Sequence, residues 1–321
     1  MKSITAKYHS VFALLVLSVT LSHAAELTLA DPFGDEMVLQ QGMTIPVWGT
    51  AESGAKVTVS FANQTKTATA DAGGQWKVAL DALSASSANR PMKVASGAGN
   101  IEVKDVLVGE VWICSGQSNM EMGVTLATNA AAEVADAKHP TIRLRVVNKN
   151  VAATPQTKLN ASPWRECTPA SIAQGTWNGF SATAYYFGRS IQEEIKVPVG
   201  LIHTAWGGTL IEPWITAEAY HAEPSLKVQS AWLRAGGKPG NQAHPTGLYN
   251  SMIAPWTTFP VRGAIWYQGE SNCIQHDGLS YLNKMQALVS GWRQAWGRTD
   301  ENFPFYFVQI APFRYPQCAP H

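Results

Sequence analysis

The stretch Val111-Trp112-Ile113-Cys114-Ser115-Gly116-Gln117-Ser118-Asn119-Met120 holds the chain's leading candidate for chemistry. A run of β-formers breaks at Gly116, Ser118 follows two residues later, and helix-compatible sequence comes next. A serine so placed stands at the carboxyl end of a strand, in the crevice where open α/β sheets bind ligands. Its hydroxyl also lies beside a helix N-terminus, whose unbonded N–H groups and dipole favour developing negative charge. That is a position for a nucleophile. An equally simple reading makes Ser118 or Asn119 the N-cap of a polar turn. Spacing alone leaves both open.

Two further segments follow strand-like runs. Trp206-Gly207-Gly208-Thr209-Leu210-Ile211-Glu212-Pro213-Trp214 comes after residues 199–204, and Trp266-Tyr267-Gln268-Gly269-Glu270-Ser271-Asn272 comes after 263–265. Acyl transfer through serine needs N–H donors aimed at the tetrahedral oxyanion. A glycine pair lets the backbone approach with no Cβ in the way, and the Gln268 amide can donate another N–H. Taken singly, Gly207-Gly208 reads as a plain turn and Gln268 as a loop amide. Loops at the carboxyl edge of a parallel sheet, however, converge on one crevice.

The elements that must position these segments divide the chain in two. From about residue 27 to 105 the period is that of β-strands: Val57, Val59 and Phe61 alternate, as do Trp76, Val78 and Leu80, then Ile101 and Val103. Breakers such as Asp71-Ala72-Gly73-Gly74 separate them, which predicts a small antiparallel sandwich. From Val106 strands alternate with helices. Runs at 111–114, 142–147, 199–204, 263–267 and 305–310 read as strands, and 183–195 and 279–296 have helical spacing. That alternation predicts a parallel sheet covered on both faces.

Composition narrows the class. Met1-Lys2, the apolar stretch from Val11 to Leu21 and Ser22-His23-Ala24 read as an export signal at 1–24, leaving domains at 25–105 and 106–321. The product is expected in the periplasm or outside the cell. No later run is long enough to span a bilayer. Loss of Lys2 and Lys7 takes the basic count from 24 to 22 against 23 acidic residues, a net charge of −1. Near-neutrality without a basic stripe argues against nucleic acid as a partner. Cys114, Cys167, Cys273 and Cys318 show no metal-like spacing; some could pair in an oxidising compartment, although Cys114 and Cys273 read as buried strand cysteines.

Together the three segments resemble the signature blocks of the sialate O-acetylesterase group, carbohydrate esterases within the SGNH (GDSL-like) hydrolases. The likeness extends to Pro46-Val47-Trp48-Gly49-Thr50-Ala51, Leu248-Tyr249-Asn250-Ser251-Met252-Ile253 and Val308-Gln309-Ile310-Ala311-Pro312. It implies a three-layer, flavodoxin-like α/β domain preceded by the small β-sandwich. Ser118 would be the nucleophile and would hold the oxyanion with its own N–H. A glycine of Gly207-Gly208 and Gln268 would supply the remaining donors. Glu270, Asn272 and Asn119 would organise the loops or touch sugar hydroxyls. The implied substrate is an O-acetylated sugar or glycan, sialic acids first, with no metal or organic cofactor. Ser118-Asn119-Met120 is distinct from the G-x-S-x-G elbow of α/β-hydrolases.

Serine needs an adjacent base, normally a histidine held by a carboxylate. The resemblance places that pair on a D-x-x-H-P-like segment after the last strand. None follows 305–310 here, so the chain is expected to be the front part of such an enzyme, with little activity alone. Asp136-Ala137-Lys138-His139-Pro140 matches the pattern literally, but it closes the helical stretch after Ser118 and should face the opposite edge of the sheet. His203 reads as a satisfied core histidine and His276-Asp277 as a solvated loop pair. His221 and His244 have no carboxylate at suggestive spacing, and His321 ends an unpatterned tail. Two alternatives stay open: an esterase of acetylated xylan or other polysaccharides, and a carbohydrate-binding protein without turnover, for which twelve tryptophans argue.

Overall fold

A computed structural model describes residues 26–97, 99–175, 177–298 and 302–312. The expected export segment, Cys318 and His321 lie outside them. The β-rich part comprises β1 (Val38–Gln40), β2 (Ile45–Thr50), β3 (Lys56–Phe61), β4 (Gln64–Thr69), β5 (Gln75–Leu80) and β6 (Ser86–Ser96). β2 and β5 form an antiparallel pair that packs across from β3, β4 and β6. The alternation read from sequence is the alternation observed: Val57, Val59 and Phe61 are buried, and so are Trp76, Val78 and Leu80.

Strand β7 (Gly99–Gly116) then runs through both parts of the molecule. Its first half pairs with β6, and residues 107–109 pair with β1. Its last half lies between β10 (Val199–Ala205) and β11 (Gly263–Tyr267). Burial changes along the strand accordingly. It alternates up to Asp105 and is continuous from Val106 to Gly116, as expected when a sheet passes from one covered face to two. The boundary expected at 105–106 therefore falls inside one strand.

The parallel part is completed by β8 (His139–Val146), β9 (Arg165–Cys167) and β12 (Phe305–Phe307). Across the sheet the order is β9-β8-β10-β7-β11-β12, all parallel except the β8–β9 pair. The chain leaves β7 for one side and later crosses to the other at β11. That reversal makes the switch point expected of a doubly wound sheet. In detail the order differs from that of a flavodoxin-like sheet, because β10 inserts between β7 and β8.

The helices are α1 (Ser118–Glu121), α2 (Ala130–Asp136), α3 (Pro169–Ile172), α4 (Ala182–Ile195), α5 (Ala217–Ala222), α6 (Lys227–Arg234), α7 (Glu270–Ile274) and α8 (Ser280–Ala295). Helix α8 buries Lys284, Ala287, Leu288, Gly291 and Trp292, the i, i+3, i+4, i+7, i+8 stripe of a surface helix. Helix α4 is capped by Ser181, whose hydroxyl accepts the Ala184 N–H at 3.1 Å, and covers the opposite face. The helix expected after Ser118 is broken: Met122 and Gly123 leave α1 to bridge Trp177 and Ser181, a single 3-10 turn follows at Val124–Leu126, and α-helix resumes at α2. The strand expected at 305–310 ends at Phe307.

Candidate active site

Three strands stop at one level. Gly116 is paired with Ala205 on one side and with Tyr267 on the other, so each motif begins where its strand ends. Backbone bonds tie the exits together: Trp206 N–H donates to Gly116 O at 3.1 Å, and Gln117 N–H to Tyr267 O at 2.9 Å. The glycine at this junction is required. Gly116 has φ +144°, and a Cβ there would lie 2.1 Å from Tyr267 O.

Ser118 is the first residue of α1, with Gln117 as N-cap and no side-chain capping bond. The hydroxyl is therefore not the cap that the alternative reading supposed. It is half-buried, and the neighbouring group bonded to it is the Gln117 amide, at 3.5 Å from Oγ. Among the described residues the N–H groups of Ser118 and Gly208 have no acceptor. Gly208 sits at φ +75° with open space around its missing Cβ, whereas the Gly207 N–H donates to Glu121 Oε2 at 2.6 Å. Of the glycine pair, Gly208 has the N–H to offer.

Gln268 is placed differently from the expectation. Its Nε2 faces Asn272 Oδ1 at 2.6 Å, Thr209 O at 3.1 Å and Gln117 Oε1 at 3.1 Å, so neither amide hydrogen is left for an oxyanion. Its Oε1 accepts from Tyr281 OH at 2.8 Å. Gln268 thus locks the three loops together instead of donating into the crevice. Gln117 is its counterpart: Gln117 Oε1 also accepts the N–H groups of Gly269 and Ser271, at 3.3 and 3.2 Å.

Asn272 is likewise withdrawn from a sugar-contacting role. It is buried, accepts from Ile211 N–H at 3.0 Å, and donates to Glu212 Oε2 at 3.0 Å and Asp277 Oδ2 at 2.7 Å. Those two carboxylates share Lys284, whose Nζ donates to Glu212 Oε1 and Asp277 Oδ2, each at 2.5 Å. Burial by itself would lower the Lys284 ammonium's pKa; the two carboxylate bonds outweigh it and raise the value above its usual range. Gln117 and Glu212 lie inside the motif segments without an expected role there, Asp277 reads from sequence as half of a solvated loop pair, and Lys284 lies outside every motif. Asn119 is half-buried and its Nδ2 donates to Glu270 Oε1; Glu270 is itself buried, and its Oε2 has no partner among the described residues.

No described histidine bonds Ser118. His139 begins β8 at the opposite edge of the sheet and meets Tyr185 OH at 3.2 Å. His203 is a core histidine, buried against Phe180 with the Met120 backbone beside its ring. Burial lowers its pKa to about 4, although the Glu121 charge pulls the other way. His276 is exposed, and its neighbour Asp277 belongs to Lys284. His221 pairs with Ser230 Oγ at 2.8 Å, and His244 accepts from Gly240 N–H at 2.9 Å. Cys114 and Cys167 are buried thiols outside any disulfide, and burial raises both, Cys167 to about 12; Cys273 is exposed on α7, not buried in a strand. Among the described residues no group of histidines, cysteines and carboxylates could hold a metal.

An α/β sheet with a serine at its switch point and unbonded N–H groups beside it defines the class. Comparison with known proteins gives the family. Residues 108–319 match the family described as "Carbohydrate esterase, sialic acid-specific acetylesterase". The chain is 29% identical to the sialate O-acetylesterase of Rattus norvegicus over 344 residues, covering 94% of this chain and 63% of that protein. Against the sialate O-acetylesterase of Homo sapiens it is 30% identical over 318 residues, covering 92% and 60%. A carbohydrate acetylesterase from Xanthomonas citri superposes with a TM-score of 0.77 at 34% identity, covering 88% of this chain and 60% of that one. The chain belongs to the sialic acid-specific acetylesterase family of carbohydrate esterases, and it spans about three fifths of the length of these relatives.

Proposed function

We propose that the chain carries the nucleophile and oxyanion donors of a carbohydrate O-acetylesterase, with O-acetylated sialic acid as its substrate class. The common ending of β7, β10 and β11 supports this reading most directly: it brings the Gly207-Gly208 turn to Ser118, a Cβ on Gly207 lying 3.4 Å from Ser118 Cβ, and the N–H groups of Ser118 and Gly208 are unbonded among the described residues. Ser118 Oγ attacks the acetyl carbonyl as its hydroxyl proton passes to a base, the carbonyl oxygen takes the negative charge towards those N–H groups, and on collapse the bond to the sugar oxygen breaks and that oxygen takes up the proton. Water then releases acetate from the acetyl-serine. Of the three residues assigned to loops or sugar hydroxyls, the half-buried Asn119 is the one left to contact the sugar, with Glu270 and Asn272 buried behind it. The tryptophans favour an enzyme over a lectin-like binder: among all twelve, Trp177 is the large exposed one, at 41%.

No histidine bonds Ser118 among the described residues, and a serine without its base loses several orders of magnitude in rate. Acetate release from O-acetylated sialic acid by this chain is therefore expected to be slow and to rise when imidazole is added as a soluble base. Ser118→Ala should show only the background of imidazole itself. Equal release by Ser118→Ala and the parent chain would overturn the reading. Ser118-dependent release that is faster on acetylated xylan would move the substrate class to plant polysaccharides.

A further inference from the structure

We propose that Glu121 is a positioning residue for the oxyanion pocket: its carboxylate fixes Gly207 so that the next residue, Gly208, presents its N–H to the acyl oxygen on Ser118. The inference rests on the reading of Ser118 as nucleophile.

Glu121 stands one turn beyond Ser118 on α1 and is 3% exposed. Its two oxygens are divided between two loops. Oε2 accepts the Gly207 N–H at 2.6 Å, and Oε1 pairs with Lys149 Nζ at 2.6 Å. Lys149 lies over the Trp206 ring at 5.6 Å, and its own loop is held by Ser251 Oγ donating to Asn150 O at 2.5 Å. A Cβ on Gly207 would sit 3.1 Å from Glu121 Oε2 and 3.4 Å from Ser118 Cβ, so carboxylate, glycine and nucleophile are mutual neighbours.

The turn itself does not require a buried charge. Thr209 Oγ1 already donates to Trp206 O at 2.7 Å, and Trp214 Nε1 to Thr209 Oγ1 at 3.1 Å. Burying a carboxylate costs free energy that only good partners offset. What this one gains is a charge-assisted bond to a backbone N–H, roughly twice as strong as a neutral one. That bond fixes the peptide preceding Gly207 and, through it, the direction of the Gly208 N–H. It also keeps the Gly207 N–H from competing for the substrate oxygen.

Methylboronic acid tests the arrangement without turnover. Ser118 Oγ donates an electron pair to boron, the O–B bond forms, the hydroxyl proton passes to water, and the tetrahedral anion occupies the place of the intermediate. Binding to the 321-residue chain is read by calorimetry and boron NMR, with Ser118→Ala as reference. Glu121→Met, which keeps the volume and removes the acceptor, should weaken Ser118-dependent binding by at least about 10-fold, a fraction of what losing a whole oxyanion donor does to rate. Glu121→Gln, whose amide oxygen can still accept the Gly207 N–H, should recover affinity to within about 3-fold of the parent. A role in stability alone would move the melting temperature of Glu121→Met and leave the affinity of the folded protein unchanged, which overturns the proposal. Equal binding by Ser118→Ala and the parent would instead overturn the nucleophile on which it rests. Should Glu121→Met not fold, Glu121→Met with Lys149→Met removes the stranded ammonium and is read the same way.

Discussion

His203 shows how much a single residue's surroundings can outrun its sequence position. On β10 it is one residue from Thr204 and four from Gly207, close enough in sequence to invite a catalytic role, yet its ring lies in the core against Phe180. Burial holds its pKa at about 4, below the ordinary histidine value of 6.5. Between those values the unfolded chain binds a proton that the folded chain refuses, so stability is complete above about pH 6.5 and falls as pH drops towards 4. The shift corresponds to about 3 kcal/mol lost over that window. His203→Phe should flatten this dependence in urea midpoints taken from pH 7 to pH 4. His139, also lowered by burial and by Arg189, would leave a smaller slope of the same sign. An unchanged slope in His203→Phe would show that the ring does not carry it. The same scale explains what the motifs could not show about Gln268 and Asn272. Their residue types suit donors and sugar contacts, but their partners, Gln117, Thr209 and Glu212, lie about 60 to 150 positions away in sequence, and no local pattern announces them.

At the scale of elements, legibility followed periodicity. β11 was readable to the residue because an apolar run ends where loop residues begin, and α4 and α8 because their apolar stripes repeat over many turns. Short elements with tertiary causes were not. β9 has three residues and owes its form to pairing with β8, and α1 stops after four because Met122 and Gly123 are drawn into bridges with Trp177 and Ser181. The turn from β7 into α1 was legible as a turn, but its tightness was not. Gly116 is pressed against the β11 backbone, and an alanine Cβ would both adopt φ +144° and strike Tyr267 O. Gly116→Ala is expected to cost about 3 kcal/mol or more, as strain and overlap together imply. The loss should appear as a lower urea midpoint with an unaltered denaturant slope. A midpoint within error of the parent would mean the two strand ends can separate freely.

Across the whole molecule, the change of pattern near residue 105 looked like a domain boundary, yet it is a change in what covers one strand. β7 alternates where the β-rich part leaves one face open and is continuously buried where helices cover both. One apolar core runs through the junction, from Ile45, Val59 and Trp76 by way of Val106 and Ile113 to Trp214, Trp266 and Trp292. Arg143 reinforces it from β8, donating to Asp105 Oδ2 at 2.7 Å and to Glu36 O at 3.1 Å. With a shared strand and a shared core, neither part can unfold without exposing apolar surface of the other. Cooperative loss is therefore expected: far-UV circular dichroism, which reads both parts, and tryptophan fluorescence should give coincident urea transitions. The two probes weigh the parts differently, since Trp48 and Trp76 are the tryptophans of the β-rich part and the other ten follow residue 106. Separated midpoints, with the ellipticity of the β-rich part persisting after the fluorescence change, would show that β7 can break at Asp105 and that the two parts are stable on their own. Coincident midpoints would mean that the alignment of Gly116, Ala205 and Tyr267, on which the serine site depends, is maintained by the β-rich part as much as by the sheet that carries it.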